Sequence, residues 1–105
     1  PGVIEQPLLE LGDDLIACRG LDNRVGAFVA LEALRYLSQG ERSKADVWAV
    51  ATRQEEITFG GAHTSAFRLD PVVAIAIDVT HATDHPDADV RGNGLCKLGG
   101  GPALA

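Results

Sequence analysis

Short apolar runs separated by helical or polar stretches set the rhythm of this chain. Leu15-Ile16-Ala17-Cys18, Val47 to Thr52 and Val72 to Ile77 each have the length of a buried strand. The two longer runs are apolar on both faces, with Val47, Ala49 and Ala51 opposite Trp48, Val50 and Thr52 in the first of them. A strand dry on both sides belongs in the middle of a parallel or mixed sheet covered by helices. Between the first two runs, Val25, Phe28, Val29, Leu31, Leu34 and Leu37 recur at helical spacing, while Arg24, Glu32, Arg35 and Gln39 take the other face. This pattern predicts a helix from about Asn23 or Arg24, stopped at Gly40, a residue that tolerates a left-handed conformation. A shorter helix is predicted from about Ala62 to Arg68. It ends at Asp70-Pro71, because the residue before a proline is pushed away from helical geometry.

The flanks are less regular. Residues 1–13, broken by Pro1, Gly2, Pro7 and Gly12, read as a lead-in segment, and residues 14–105 as one domain or part of one. Residues 80–94, rich in His, Asp, Pro and Gly, read as a loop, and Leu95 to Leu98 as one more short strand. Strand, helix, strand, helix, strand predicts an α/β architecture with a mostly parallel sheet covered by helices.

Each apolar run leads to acid. Asp22 follows the first, Glu55-Glu56 the second, and Asp78 closes the third. In open α/β sheets ligands bind outside the carboxyl ends of the strands, so parallel strands would bring these carboxylates to one edge. Each residue also has a plainer reading. Asp22 can cap the helix that follows it, and Glu55-Glu56 can be a solvated turn. Asp78 resists such a reading, since six apolar residues precede it and an unpartnered buried carboxylate is costly. Four carboxylates together repel one another unless cations neutralise them. In an extended segment, Glu55 and Glu56 would point in different directions, one toward a metal and one toward a water as general base. The spacing alone does not name the metal.

Composition narrows the partners. The 105 residues are 46% hydrophobic with net charge −6, enough apolar material for a modest core and no excess of base for nucleic acid or anionic membranes. No apolar run approaches the roughly 18 residues of a membrane span. Cys18 and Cys96 form no CxxC pair and read as reduced, partly buried thiols of a cytoplasmic protein.

Leu21-Asp22-Asn23-Arg24-Val25-Gly26, Gln54-Glu55-Glu56, Ala76-Ile77-Asp78-Val79-Thr80 and Lys97-Leu98-Gly99-Gly100-Gly101-Pro102 follow one another in this order. Together they resemble the tetrahedral aminopeptidases, the glutamyl aminopeptidase family of dinuclear metallopeptidases, sometimes labelled endoglucanases. The resemblance runs from about Leu11 to Ala103. It implies a zinc-exopeptidase-like fold, here a truncated central piece of the catalytic domain, with residues 1–13 as the return from an inserted dimerisation domain. It implies removal of N-terminal residues from peptides, with water activated by two divalent ions, zinc or cobalt. Asp22 then matches the aspartate bridging the metals, Glu56 and Asp78 match ligands of one metal each, and Glu55 matches the general base. It also implies a cytoplasmic homo-oligomer in the parent protein. The family's histidine ligands match none of His63, His81 and His85, which read as surface or loop residues. The 105-residue piece is therefore expected to have little activity and weak metal affinity. The family's arginine near the Gly-Ala pair has no counterpart in Ile57 to Ala62, so no substrate-binding residue is assigned. Competing readings are another zinc exopeptidase of the same fold and a non-catalytic assembly module. An endoglucanase needs aromatic sugar platforms, which a single Trp inside an apolar run does not supply.

Overall fold

The computed structural model describes residues 2–104. Two short strands open the chain, β1 (Leu9–Leu11) and β2 (Leu15–Ala17), paired antiparallel with Leu9 opposite Ala17 and Leu11 opposite Leu15. The turn between them contains Gly12. The lead-in segment is therefore partly regular, because Leu9–Leu11 finds in Leu15–Ala17 an immediate hairpin partner. Four helices follow among the described residues: α1 (Leu21–Gln39), α2 (Glu55–Thr58), α3 (Gly60–Leu69) and α4 (Val90–Asn93).

α1 carries the predicted apolar stripe, and its polar face is knitted by Glu32, Arg35 and Gln39. The Arg35 guanidinium donates to both Glu32 oxygens at 2.8–3.0 Å and to Gln39 at 3.2 Å. Asp22 and Asn23 leave helical angles (φ −81°, ψ 113° and φ −115°, ψ 53°), so regular helix begins after them, as the spacing predicts. Gly40 ends the helix in an extended conformation (φ −93°, ψ −162°) and not in the left-handed one expected of it. α3 extends the predicted short helix by two residues at its start and one at its end. Asp70 closes it with φ 44°, its amide donating to the Ala66 carbonyl at 2.9 Å.

The predicted parallel sheet is the main departure. Residues 46–52 and 72–77 carry no ladder hydrogen bonds, and the hairpin is the one sheet among the described residues. Leu95 to Leu98 is likewise unpaired as a strand, although the Thr83 amide donates to the Cys96 carbonyl at 2.7 Å. No hydrophobic residue among those described is buried. Trp48, Val72, Val73 and Ile75 are all exposed, as is most of the α1 stripe. Among the described residues, one long helix and three short ones leave these apolar runs uncovered. The accessible surface is 9980 Å², against about 5,600 Å² for a compact monomer of this mass. The Cα radius of gyration is 16.9 Å, against about 13 Å for a compact domain of this length. The α/β class stands in its coarse form, strands and helices in one chain, and the modest core expected from composition does not assemble. No helix among the described residues is long and apolar enough to cross a membrane.

Candidate metal centre

The backbone reverses sharply at Gln54, whose φ of 62° lies in the left-handed region. Its carbonyl then collects three amides, from Ile57 (3.4 Å), Thr58 (3.0 Å) and Phe59 (2.9 Å). Glu55 and Glu56 thereby form the first turn of α2 and do not continue the apolar run. This corrects the extended geometry expected for the pair: on a helical turn they project about 100° apart. Gly61 makes the turn possible. Its amide donates to the Arg53 carbonyl at 3.0 Å, and a Cβ there would stand 2.6 Å from that oxygen. The start of α3 can approach the Arg53 backbone only because residue 61 has no side chain.

Asp22 and Asp78 meet through their neighbours. The Asn23 amide nitrogen Nδ2 donates to the Ile77 carbonyl at 2.8 Å, while its Oδ1 accepts from the Gly26 amide at 2.8 Å. Gly26 is the one buried residue of α1, and a Cβ on it would collide with the Asn23 side chain and stand 2.8 Å from the Ile77 oxygen. The residues directly after Asp22 and directly before Asp78 are thus hydrogen-bonded across 54 positions of chain. Asp78 itself accepts from the Val79 amide through Oδ1 at 2.8 Å.

The four predicted acidic residues consequently share one electrostatic neighbourhood. Glu55 has its carboxyl pushed above the ordinary range, by desolvation first and then by the negative charges of Glu56, Asp78 and Asp22. Among the described residues, no three His, Cys, Asp or Glu side chains are gathered closely enough to hold an ion. The donors fit a divalent cation in chemistry, since carboxylate oxygens that repel one another are relieved by positive charge. They do not form a ready coordination sphere.

The three histidines lie on exposed stretches of the chain. His63 lies on exposed α3, and the His85 ring shares its Nδ1 with the Pro86 carbonyl at 2.7 Å. His81 lies on the exposed stretch after Asp78. The loop that carries His81 and His85 is closed by the buried Thr83. Its hydroxyl donates to the Gly94 carbonyl at 3.0 Å and accepts from the Cys96 amide at 2.8 Å. Cys18 and Cys96 are free and half-buried, as expected. Sequence reasoning misses the supporting roles of Asn23, Gly26, Gln54 and Gly61. Two of these are glycines whose necessity shows only when the opposing backbone is in view, and no spacing rule announces the Asn23 bond to a carbonyl so far along the chain.

Comparison with known proteins identifies the family of the chain. The profile of the M42 glutamyl aminopeptidase family matches residues 1–105. The lysyl aminopeptidase of Pyrococcus furiosus is 38% identical over 94 residues, which are 90% of this chain and 25% of that protein. A protein of Acetivibrio thermocellus named "Putative aminopeptidase" is 37% identical over 94 residues, 90% of this chain and 27% of its own length. The chain thus spans about a quarter of the length of these curated relatives. No solved structure gives a significant match. With its full length matched by the family profile, the chain belongs to the M42 glutamyl aminopeptidase family.

Proposed function

We propose that this chain is the acidic part of the active site of a metal-dependent aminopeptidase, which removes N-terminal residues from peptides. The observation that carries the reading is the surroundings of Glu55. Its carboxyl is raised by desolvation first and then by the charges of Glu56, Asp78 and Asp22, acids that lie at the ends of separate apolar runs. Asp22, Glu56 and Asp78 would hold two divalent ions, zinc or cobalt, with Asp22 shared between them and imidazole ligands supplied from outside this chain. When bound, such ions polarise a scissile carbonyl and make water more acidic at neutral pH.

Glu55 is the base in this reading. Its carboxyl is held above the ordinary glutamate range, which suits a group that must accept a proton from water and return it to the leaving amine. Its position on the first turn of α2, beside Glu56, separates the two roles by a rotation within one helical turn. Glu56 can face the ions while Glu55 faces the reacting water. The family label and the name of the Pyrococcus furiosus relative support peptide substrates with a free N-terminus.

The test is Glu55→Gln in the full-length protein. Loss of a general base lowers turnover by about 10²-fold or more, and the reading expects that loss with metal content unchanged. Peptidase turnover equal to the unsubstituted protein removes Glu55 from the mechanism.

A further inference from the structure

We propose that Asn23 is a positioning residue, which sets the separation of Asp22 and Asp78 by tying the start of α1 to the Ile77 carbonyl. The inference rests on the metal-centre reading above and extends it to a residue that need touch neither ion nor substrate.

Both polar ends of the Asn23 side chain are used. Oδ1 holds the Gly26 amide at 2.8 Å, which is the task of a helix cap, and any short acceptor could perform it. Nδ2 does something a cap does not require: it donates to the Ile77 carbonyl at 2.8 Å, one residue before Asp78. No backbone hydrogen bond among the described residues performs the same service, because residues 72–77 carry no ladder bonds to a neighbouring strand. The side chain supplies the link that strand pairing would otherwise provide. Gly26 is fitted to the same contact, since a Cβ at that position would press on both the Asn23 side chain and the Ile77 oxygen. Asn23 therefore sits between Asp22, its chain neighbour, and Ile77-Asp78, reached through one hydrogen bond. Ligands are held in place by such outer partners, whose removal lowers metal affinity about 10- to 100-fold.

Two substitutions in the full-length protein separate positioning from capping. Asn23→Ser keeps an acceptor for the Gly26 amide, adds no charge, and is too short to reach Ile77. Asn23→Ala removes both bonds. Metal affinity is read by cobalt titration, following the visible absorption of the bound ion, and by competition with a chelator. The stability of the metal-free protein is read by thermal unfolding. The proposal expects Asn23→Ser to bind cobalt at least about 10-fold more weakly than the unsubstituted protein. It also expects an altered absorption band, and a metal-free unfolding midpoint above that of Asn23→Ala. Wild-type cobalt affinity and spectrum in Asn23→Ser, whatever the effect on unfolding, make Asn23 a helix cap only and overturn the proposal. Asp78→Asn is the control for the reading beneath it. If that substitution leaves cobalt binding unchanged, the metal-centre assignment itself falls and takes the positioning role with it. If Asp78→Asn weakens binding while Asn23→Ser does not, only the positioning role is lost.

Discussion

At Gln54 the chain adopts φ 62° without being glycine, and the residue that follows is the proposed base. Non-glycine residues in that region cost of order 1–3 kcal/mol and gather at sites where the turn itself is needed. Here the turn delivers three amides to one carbonyl and swings Glu55 away from the line of the preceding run. The raised Glu55 carboxyl has a consequence for stability in the metal-free protein. A carboxyl held above its ordinary range destabilises the folded form once ionised. The penalty is absent below the ordinary glutamate range, grows as pH rises through that range to the raised value, and is complete above it. Metal-free Glu55→Gln is therefore expected to unfold at a higher temperature than the unsubstituted protein at neutral pH, with the difference vanishing in acid. Melting curves at the two pH values check this, and a difference that persists in acid contradicts it. The acids themselves stand out in the sequence because each follows an apolar run, and Glu55 feels the charges of the other three. Asn23 is not legible in the same way: its significance lies in a carbonyl 54 residues later, and carbonyls have no sequence signature.

Helices were easier to read than strands at the level of elements, for a physical reason. The α1 pattern depends on spacings within one segment, and its hydrogen bonds close within that segment, so the helix forms with its stripe still exposed. A strand needs a partner. Leu15 to Ala17 finds one a turn away in Leu9 to Leu11 and pairs, whereas residues 47–52 and 72–77 have no paired neighbour among the described residues. The Glu55-Glu56 geometry depends in turn on how α3 abuts Arg53, and Gly61 is the residue that permits it. Gly61→Ala places a methyl against the Arg53 backbone, which cannot yield as a side chain can. Overpacking of this kind costs about 1–3 kcal/mol. The expected result is a lowered unfolding midpoint of the full-length protein together with reduced peptidase turnover. An unchanged midpoint contradicts the proposed contact.

For the molecule as a whole, an accessible surface of 9980 Å² and a chain without a buried hydrophobic residue among those described mean that apolar faces are presented outward. Trp48 and the run from Val72 to Ile77 belong to these faces. Contiguous exposed apolar surface drives association. The 105-residue chain alone is expected to bind a hydrophobic dye strongly and to sediment as concentration-dependent oligomers, and a monodisperse monomer that leaves the dye dark contradicts that picture. The acidic neighbourhood survives in this open arrangement because a side-chain bond, Asn23 to Ile77, and a tight turn at Gln54 hold it. Its claim to be a metal centre is tested most directly by the crystal structure of the full-length protein grown with zinc or cobalt, with the ions located by anomalous scattering. The account predicts two ions at this place, Asp22 shared between them, Glu56 and Asp78 bound to one each, and Glu55 free of both. Ions held elsewhere, or Glu55 itself bound as a ligand, would contradict it.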